Sequence, residues 1–331
     1  MKISVDGGAL NQRSDQHFGT FVFSENLVKA LSLYDKKNQY HIYTFKNLKP
    51  KLFWMKGRIS IEEWKNKQDI FLALNQALPI YSSGKIISFC HGLSYYFYPQ
   101  YYSTKDVTRL NSQLREMIKR SDKIIVSSEK VKSELTSMYQ YIERKVFVLP
   151  FGIPLDMVVS GHPERSEGSS DQRERYDRSD SSASPQNDRK PYFLFVGMNH
   201  PIKNIDFIKE AFNQFIKSKE NRDYKLILVT KNCSRSRLCY LYRNATALLT
   251  ASYYESFNFP VLEALSQTCP VIGLKSAIIP ELKTYVNEAK DNKEFVRLMK
   301  IIPLKPSVQS INRLYTQFNW KNYVKNLVRL Y

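Results

Sequence analysis

Residues 247–265 read Ala-Leu-Leu-Thr-Ala-Ser-Tyr-Tyr-Glu-Ser-Phe-Asn-Phe-Pro-Val-Leu-Glu-Ala-Leu. The apolar run at 247–251 predicts a buried strand, and Pro260 favours the first turn of a helix because its φ already suits that position. Asn258, just before it, is a residue type that caps helix N-termini. The stretch therefore predicts a strand, a loop and a helix whose N-terminal backbone amides suit a phosphate or another anion.

Two acidic residues of this stretch, Glu255 and Glu263, stand eight positions apart. The first falls on the loop and the second in the first part of the helix, so both could reach a single ligand from different sides. A glutamate near a helix N-terminus is also favourable by ~0.3–1 kcal/mol through the helix dipole alone. The pair by itself therefore leaves a purely structural interpretation open.

The composition indicates a globular α/β protein of two domains. The chain has 331 residues, of which 43% are hydrophobic, enough for two cores. Short continuous apolar runs at 69–73 and 85–90 are typical of parallel strands covered on both faces. The sequence has no Gly-x-Gly-x-x-Gly motif, which argues against a dinucleotide-binding domain.

The Glu-x7-Glu motif, embedded in Glu-Ser-Phe-Asn-Phe-Pro-Val-Leu-Glu-Ala-Leu, resembles the donor-site signature of the retaining glycosyltransferases of family 4. The resemblance extends over nearly the whole chain except residues 156–190. It includes His91-Gly92-Leu93, which is similar to a His-Asp-Leu motif of the family, and Phe318-Asn319-Trp320 near the end. The resemblance implies the GT-B architecture, in which two Rossmann-like domains face a central cleft.

The expected domain organisation follows from this resemblance and from one change in composition. Residues 1–155 form an N-terminal, acceptor-side domain, and residues 191–318 a C-terminal domain that binds the nucleotide sugar. Residues 319–331 form a helix that packs back on the first domain. The segment 156–190 has almost no apolar side chains, so we expect a disordered linker or insertion.

The second domain is expected to be shorter than is usual in the family. A helix and a strand normally lie between the strand at 225–230 and the helix that carries Leu241-Tyr242. Either residues 234–243 are that later helix and one unit has been deleted, or the local topology differs. Residues 269–273 are predicted to be an edge strand of this domain.

The resemblance also implies roles for individual residues. Glu255, His91 and Lys203 are expected to be the catalytic residues, with Glu255 on the sugar hydroxyls and His91 positioning the sugar. Lys203 is expected to face the donor diphosphate, where a positive charge stabilises the leaving group. The remaining donor-binding groups are Glu263 on the ribose, the loop at Gly19, and the backbone amides of Phe257, Asn258 and Phe259.

Several positions differ from the family pattern. Ile202 stands where an arginine is usual, and Gly92 where an aspartate is usual. Ser256, Asn258 and Thr268 replace glycines, and their β-carbons would crowd an approaching phosphate. The alternative to an active enzyme is therefore a catalytically inactive relative that serves as a binding or scaffold protein.

The aromatic run at 95–102 leaves two interpretations open. Aromatic rings at this place could line the rim of an acceptor cleft, because their faces stack on sugars. Tyrosines also pack in loops without any ligand. The sequence does not decide between the two.

The net charge of +19 indicates anionic partners. Nucleic acid, an anionic membrane surface and nucleotide ligands all suit a basic protein. The lysines are scattered and no nucleic-acid motif is present, so we expect no nucleic-acid partner and rank a membrane surface first. The chain opens on a strand without a leader and has no run of the ~20 apolar residues that span a bilayer. We therefore expect a cytoplasmic protein, peripheral on the inner face of the membrane.

No cofactor is expected. The five histidines and four cysteines have no metal-ligand spacing, and the family that the chain resembles works without a metal. The resemblance implies transfer of a hexose, with retention, from a nucleotide diphosphate sugar to a glycan or lipid-linked acceptor. The expected context is the biosynthesis of a cell-surface polysaccharide.

Overall fold

The computed structural model describes residues 1–11, 19–45, 53–158, 190–231, 233–301, 303 and 305–331. The predicted disordered linker at 156–190 lies mostly outside these residues, since 159–189 are not described. All strands of the described residues belong to two parallel sheets. Each sheet is covered by helices of its own half of the chain.

The first sheet has six strands: β1 (Lys2–Asp6), β2 (Gln39–Tyr43), β3 (Ile70–Ala73), β4 (Lys85–Cys90), β5 (Lys123–Val126) and β6 (Val146–Val148). Their spatial order is β2-β1-β3-β4-β5-β6. β3 is buried along its whole length, and β4 is buried except at Lys85. Such burial is expected for central strands with helices on both faces.

The helices of this half are α1 (Gly19–Tyr34), α2 (Ser60–Lys65), α3 (Ser94–Phe97), α4 (Thr104–Arg120) and α5 (Glu129–Met138). α4 begins where the Ser103 hydroxyl accepts a hydrogen bond from the Asp106 amide. α5 begins in the same way at Ser128, whose hydroxyl accepts from the Val131 amide. These caps satisfy amides that have no partner within the helix, and they fix where each helix leaves the sheet.

The second sheet has five strands: β7 (Tyr192–Val196), β8 (Lys225–Val229), β9 (Ala247–Thr250), β10 (Val271–Leu274) and β11 (Asn287–Ala289). Their order is β11-β10-β9-β7-β8. The prediction that residues 269–273 form an edge strand is wrong, because β11 pairs with the outer side of β10. β11 has only three residues, two of them polar, so no apolar run marks it in the sequence.

The helices of the second half are α6 (Ile205–Phe215), α7 (Arg235–Asn244), α8 (Phe259–Ser266), α9 (Asn292–Ile301), α10 (Val308–Gln317) and α11 (Trp320–Val328). α7 connects β8 directly to β9, which lies on the other side of β7. A doubly wound sheet normally has one more strand outside the position of β8. The described residues thus fit the first of the two alternatives, deletion of one unit, and the side chains of 226–229 are left half-buried at the sheet edge.

The end of the chain crosses back to the first half. α11 packs against α1, and the Tyr331 hydroxyl lies 3.1 Å from that of Tyr40. Gly152 makes the crossing close, since a Cβ there would lie 2.6 Å from an indole carbon of Trp320. This contact joins the two sheets behind the cleft that lies between their carboxyl ends.

Candidate active site

Lys203 and Glu255 form an ion pair on the wall of a cavity of about 300 Å³, which we call the central cavity. The Lys203 Nζ lies 2.6 Å from the Glu255 Oε1, and the side chains are only 20% and 10% exposed. The Ser252 hydroxyl donates to the same oxygen at 2.7 Å. Lys203 follows β7 and Glu255 follows β9, two adjacent strands whose carboxyl ends are neighbours. The sheet therefore brings together two side chains that are far apart in sequence.

The loop that carries Glu255 is held from the first half of the molecule. The Lys130 ammonium donates to the Glu255 carbonyl at 3.1 Å, and the Ser128 hydroxyl donates to the Ser256 carbonyl at 2.8 Å. The Leu93 amide donates to the Tyr254 hydroxyl at 2.9 Å. Burial lowers the pKa of Lys130, whose ammonium lies 4.1 Å from the centre of the Tyr254 ring. The sequence analysis did not identify Lys130, since α5 carries no recognised motif.

Gly92 also lies against this loop. Its φ is +111°, and a Cβ built there would lie 2.7 Å from the Ser256 Cβ. Both residues depart from the family pattern, with glycine in place of aspartate and serine in place of glycine. The two departures compensate for each other, because the space that a side chain at position 92 would need is filled by Ser256.

Asn258 precedes α8 and adopts a φ of 69°. It occupies the N-cap position, but the prediction that its side chain caps the helix is wrong. The side-chain amide instead donates to the Ala277 carbonyl at 3.0 Å and to the Thr250 hydroxyl at 3.2 Å. Asparagine tolerates positive φ better than other residues with a β-carbon. It can therefore replace the usual glycine here without losing the turn.

The side chains of Phe257 and Phe259 belong to the core rather than to the cavity surface. They are 2% and 7% exposed, and both rings contact Phe151 of the first half, with centroids at 4.7 and 5.2 Å. Both residues line the central cavity. Their side chains anchor the turn at the start of α8, and this leaves the backbone as the part that a ligand can contact.

His91 lines the central cavity from the carboxyl end of β4. Its Nε2 lies 2.7 Å from the Leu74 carbonyl and donates a hydrogen bond to it, and its ring meets Phe23 edge-on at 4.8 Å. Burial lowers the pKa of His91 to about 4. The imidazole is therefore neutral near pH 7 and presents Nδ1 as a hydrogen-bond acceptor.

Glu263 lies in an adjoining cavity of about 340 Å³, the Glu263 cavity, and not in the central one. Its side chain is only 4% exposed. The Arg235 Nη1 donates to Oε1 at 3.0 Å, and the Tyr242 hydroxyl donates to Oε2 at 2.9 Å. Arg235 also binds Asp156 through two parallel hydrogen bonds of 2.7 and 3.0 Å. The sequence analysis did not identify Arg235 or Asp156, because the pairing joins α7 to the segment that leaves the first sheet.

A third cavity, of about 370 Å³, lies above the first sheet, and we call it the Asp6 cavity. Asp6 is 1% exposed. Its carboxylate accepts from the Gly8 amide at 2.9 Å and from the Asn75 side chain at 3.3 Å, and burial raises its pKa. Trp54 contributes an indole ring to the same wall. The sequence analysis had not singled out this group.

The three cavities adjoin one another. The Glu263 cavity and the central cavity share Gly19, Phe259 and Pro260, and the central cavity and the Asp6 cavity share Thr20 and His91. The structure thus places all but one of the predicted site residues on the central cavity. Glu263 lies one compartment away, with Gly19 at the boundary between the two.

The aromatic run at 95–102 takes part in both of the interpretations left open. Tyr102 lines the central cavity and Tyr95 the Asp6 cavity. The Tyr101 ring stacks on Tyr253 of the second half, with centroids 5.4 Å apart and planes at 18°. The run therefore lines the cleft and also joins the two halves at its mouth.

Among the described residues, no group of three or more His, Cys, Asp or Glu side chains could hold a metal ion. No helix in this part of the chain has both the length and the apolar composition needed to cross a membrane.

Comparison with known proteins finds a match between residues 66–157 and the model of Glycosyltransferase Family 4. The O-antigen chain mannosyltransferase B of Escherichia coli is 22% identical over 217 residues, which cover 58% of this chain and 53% of that protein. The chain thus spans about half the length of this curated relative.

Solved structures extend the likeness to the whole chain. Sucrose-phosphate synthase of Thermosynechococcus elongatus has a TM-score of 0.68 at 14% identity, with 100% of this chain and 98% of that chain covered. Anabaena HepE in complex with UDP and glucose has a TM-score of 0.62 at 10% identity, with 100% and 99% covered. These neighbours confirm the predicted GT-B fold of two Rossmann-like domains around a cleft. Residues 66–157 are thus similar to Glycosyltransferase Family 4, and the chain as a whole shares the fold of these solved glycosyltransferase structures.

Proposed function

We propose that the chain is a retaining hexosyltransferase that uses a nucleoside diphosphate sugar and a glycan or lipid-linked acceptor. The observation that carries the proposal is the Lys203–Glu255 pair, which lines the central cavity together with His91. A cation, a carboxylate and a neutral imidazole meet there at the carboxyl ends of strands from both sheets, where open α/β sheets bind ligands. The expected context is the assembly of a cell-surface polysaccharide.

The donor would extend from the Glu263 cavity into the adjoining central cavity. The nucleoside lies in the Glu263 cavity, the diphosphate crosses the start of α8, and the hexose lies in the central cavity. Lys203 leaves Glu255 to contact the diphosphate, where its charge stabilises the leaving group as the bond to the sugar breaks. Glu255 then accepts hydrogen bonds from the sugar hydroxyls.

The reaction breaks the bond between the sugar C1 and the diphosphate oxygen and forms one between C1 and the acceptor oxygen. Retention requires the acceptor to approach on the face that the leaving group vacates. The acceptor proton passes to an oxygen of the departing diphosphate. His91 positions the sugar through Nδ1, because its Nε2 proton is held by Leu74. The acceptor would enter from the Asp6 cavity, which opens on the other side of His91.

The names of similar proteins support this class of substrate. The curated relative is a mannosyltransferase of O-antigen chains, and the HepE structure contains UDP and glucose. Mannose- and glucose-bearing nucleoside diphosphates are therefore the first donors to assay. In this scheme the lysine and the helix N-terminus supply the positive charge, so we expect transfer to continue in EDTA.

The net charge of +19 supports a peripheral location on the cytoplasmic face of an anionic membrane. Basic side chains bind such a surface with an attraction that salt screens. Sedimentation with vesicles that contain phosphatidylglycerol, at low and high salt, tests this part of the proposal. Binding that does not depend on anionic lipid would contradict it.

The direct test compares transfer by the wild type and by Lys203→Ala, using GDP-mannose and UDP-glucose as donors. We expect a loss of about 10²–10³-fold in kcat, the range found when a group that stabilises transition-state charge is removed. Lys209→Ala is the matched control, since Lys209 lies on the surface of α6 and pairs with the exposed Asp206.

Equal rates in Lys203→Ala and the wild type would contradict the proposal. Calorimetric measurement of UDP and GDP binding distinguishes an active enzyme from the alternative, a catalytically inactive relative. A wild-type protein that binds neither nucleotide would support that alternative instead.

A further inference from the structure

We propose that Arg235 is the second cation of the donor site: it releases Glu263 when a nucleotide binds and then contacts the diphosphate. The inference rests on the proposed function and deepens it. It assigns a role to a side chain that the family motifs do not include, at the start of the helix that follows β8 and on the wall of the Glu263 cavity.

The first observation is that both oxygens of Glu263 already have protein donors. Oε1 accepts from the Arg235 guanidinium and Oε2 from the Tyr242 hydroxyl. A ribose that is to donate its hydroxyls to Glu263 must therefore displace one of the two donors. Tyr242 is fully buried, whereas the Arg235 side chain is 34% exposed and lines the cavity. Arg235 is the donor that can move.

The second observation concerns the charge that Arg235 brings. Burial alone would lower the pKa of Arg235, but the charges of Glu263 and Asp156 raise it on balance. The guanidinium is therefore charged at every working pH. It uses three of its five N–H donors on the two carboxylates and presents a planar fork that suits phosphate oxygens.

The third observation is the lack of a cation at position 202. The family pattern has an arginine there, next to the lysine, but Ile202 is apolar and only 5% exposed. Lys203 stands on the central cavity and Arg235 on the Glu263 cavity, and these cavities meet at Phe259 and Pro260. A diphosphate at the start of α8 would thus lie between the two cations.

The deleted unit explains how Arg235 reaches this place. α7 begins six residues after the end of β8, so its first residue stands at the carboxyl end of the sheet. A cation at a helix N-terminus is unfavourable with respect to the helix dipole. Two carboxylates compensate for this charge, and a bound diphosphate would do the same.

The test is calorimetry of the full chain with UDP, GDP and the matching nucleosides uridine and guanosine. For the base that the wild type prefers, we expect Arg235→Gln to weaken nucleoside diphosphate binding by about 10- to 100-fold, as loss of a charged hydrogen bond does. The nucleoside should change by less than about threefold, and Arg235→Lys should fall between. Arg237→Gln is the control, because Arg237 lies in the same turn, over the Tyr240 ring.

Asp156→Asn gives a second readout of opposite sign. It removes one partner that holds Arg235 away from the diphosphate, so nucleoside diphosphate binding should tighten several-fold. In the Arg235→Gln background, Asp156→Asn should not change nucleoside diphosphate binding, because its effect in the wild type acts through Arg235. The double-mutant cycle measures this dependence. Tightening that persists in that background would contradict the inference, since it would be a direct effect of charge.

The remaining outcomes also test the inference about Arg235. Equal weakening of nucleoside and nucleoside diphosphate by Arg235→Gln would mean that Arg235 only orients Glu263, and tighter binding of both would mean that it only blocks the site. Either result overturns the inference and leaves the proposed function intact. A wild type that binds neither UDP nor GDP overturns the proposed function itself. If Arg235→Gln does not fold, Asp156→Asn and Arg235→Lys carry the test.

Discussion

Glu255 and Glu263 are both paired with a cation, yet different parts of the molecule hold them. The Glu255 loop receives hydrogen bonds from Lys130, Ser128 and Leu93, all from the first half of the chain. Glu263 is held by Tyr242 and Arg235 of its own half and, through Arg235, by Asp156.

This difference indicates two kinds of site within one cleft. The Glu255 side is complete only when the two sheets are together, because Leu93 after β4 and Ser128 and Lys130 at the start of α5 hold its loop. The Glu263 carboxylate is held by the second half and the connecting segment alone, although α1 of the first half lines part of its cavity. We therefore expect changes that separate the halves to weaken nucleotide binding less than sugar transfer.

The largest expected effect distinguishes the role of Glu255 from that of Glu263. Glu255→Gln should lower kcat by about 10²–10³-fold, because in the proposed scheme Glu255 contacts the hydroxyls of the reacting sugar, and should change the affinity for nucleoside diphosphate little. Glu263→Gln should weaken that affinity by about tenfold and leave most of kcat. Steady-state kinetics and calorimetry on both variants give the comparison. If Glu255→Gln and Glu263→Gln change kcat and the affinity for nucleoside diphosphate by similar factors, the Glu255 side and the Glu263 side act as a single site.

Gly92→Ala should disturb the Glu255 side alone. Its Cβ would lie 2.7 Å from that of Ser256 at a φ of +111°, and such strain costs about 1–3 kcal/mol. We expect transfer to fall by about tenfold or more while UDP or GDP affinity stays within about twofold. The double variant Gly92→Ala with Ser256→Gly should recover part of the loss, because it removes the opposing atom. Absence of any recovery would mean that the contact is not what limits transfer.

The sequence predicts most of the strands and the placement of Lys203 and Glu255 in one site. Most of the eleven strands of the described residues are apolar runs, and the resemblance to the family implied that Lys203 and Glu255 share the donor site. β11 could not be predicted in the same way, because Asn287-Glu288-Ala289 pairs through its backbone and has no apolar pattern.

The contacts between the two halves were not predictable from one sequence. Lys130 and Arg235 stand on ordinary helices, and their roles depend on carboxylates or carbonyls that are close only in the folded chain. The Gly92–Ser256 contact is similar, since each departure from the family pattern suggests damage when it is considered alone. Only the folded chain shows that one makes room for the other.

A smaller effect is expected from Tyr242→Phe on the Glu263 side. The change removes a hydroxyl that donates to a buried carboxylate at 2.9 Å, and an unsatisfied buried acceptor costs about 1–3 kcal/mol. Urea unfolding should show this loss of stability. Tyr240→Phe is the control on the same helix, since Tyr240 is exposed and should change stability by less than about 0.5 kcal/mol. A Tyr242→Phe protein as stable as the control would mean that Arg235 alone satisfies Glu263.

The last expected effect concerns pH and distinguishes the Glu255 side from the Glu263 side. The pKa of His91 is about 4 in the folded chain because of burial, below its ordinary value of 6.5. Between these values the unfolded chain binds more protons, so stability rises with pH in this window. The contribution of His91 is fully present above pH 6.5 and is lost as the pH falls towards 4.

On the Glu263 side no comparable change is expected from Arg235, which stays charged throughout this range. Urea unfolding of the wild type and of His91→Gln from pH 4 to 7 measures the difference. The variant should have a weaker dependence on pH in this window, while His41→Gln, a change on the exposed surface of β2, should keep the wild-type dependence. If His91→Gln also keeps the wild-type pH dependence, the pKa of His91 is the same in the folded and the unfolded chain. The ring is then not buried as the structure places it. The pH dependence would then have to come from groups outside the Glu255 side of the cleft.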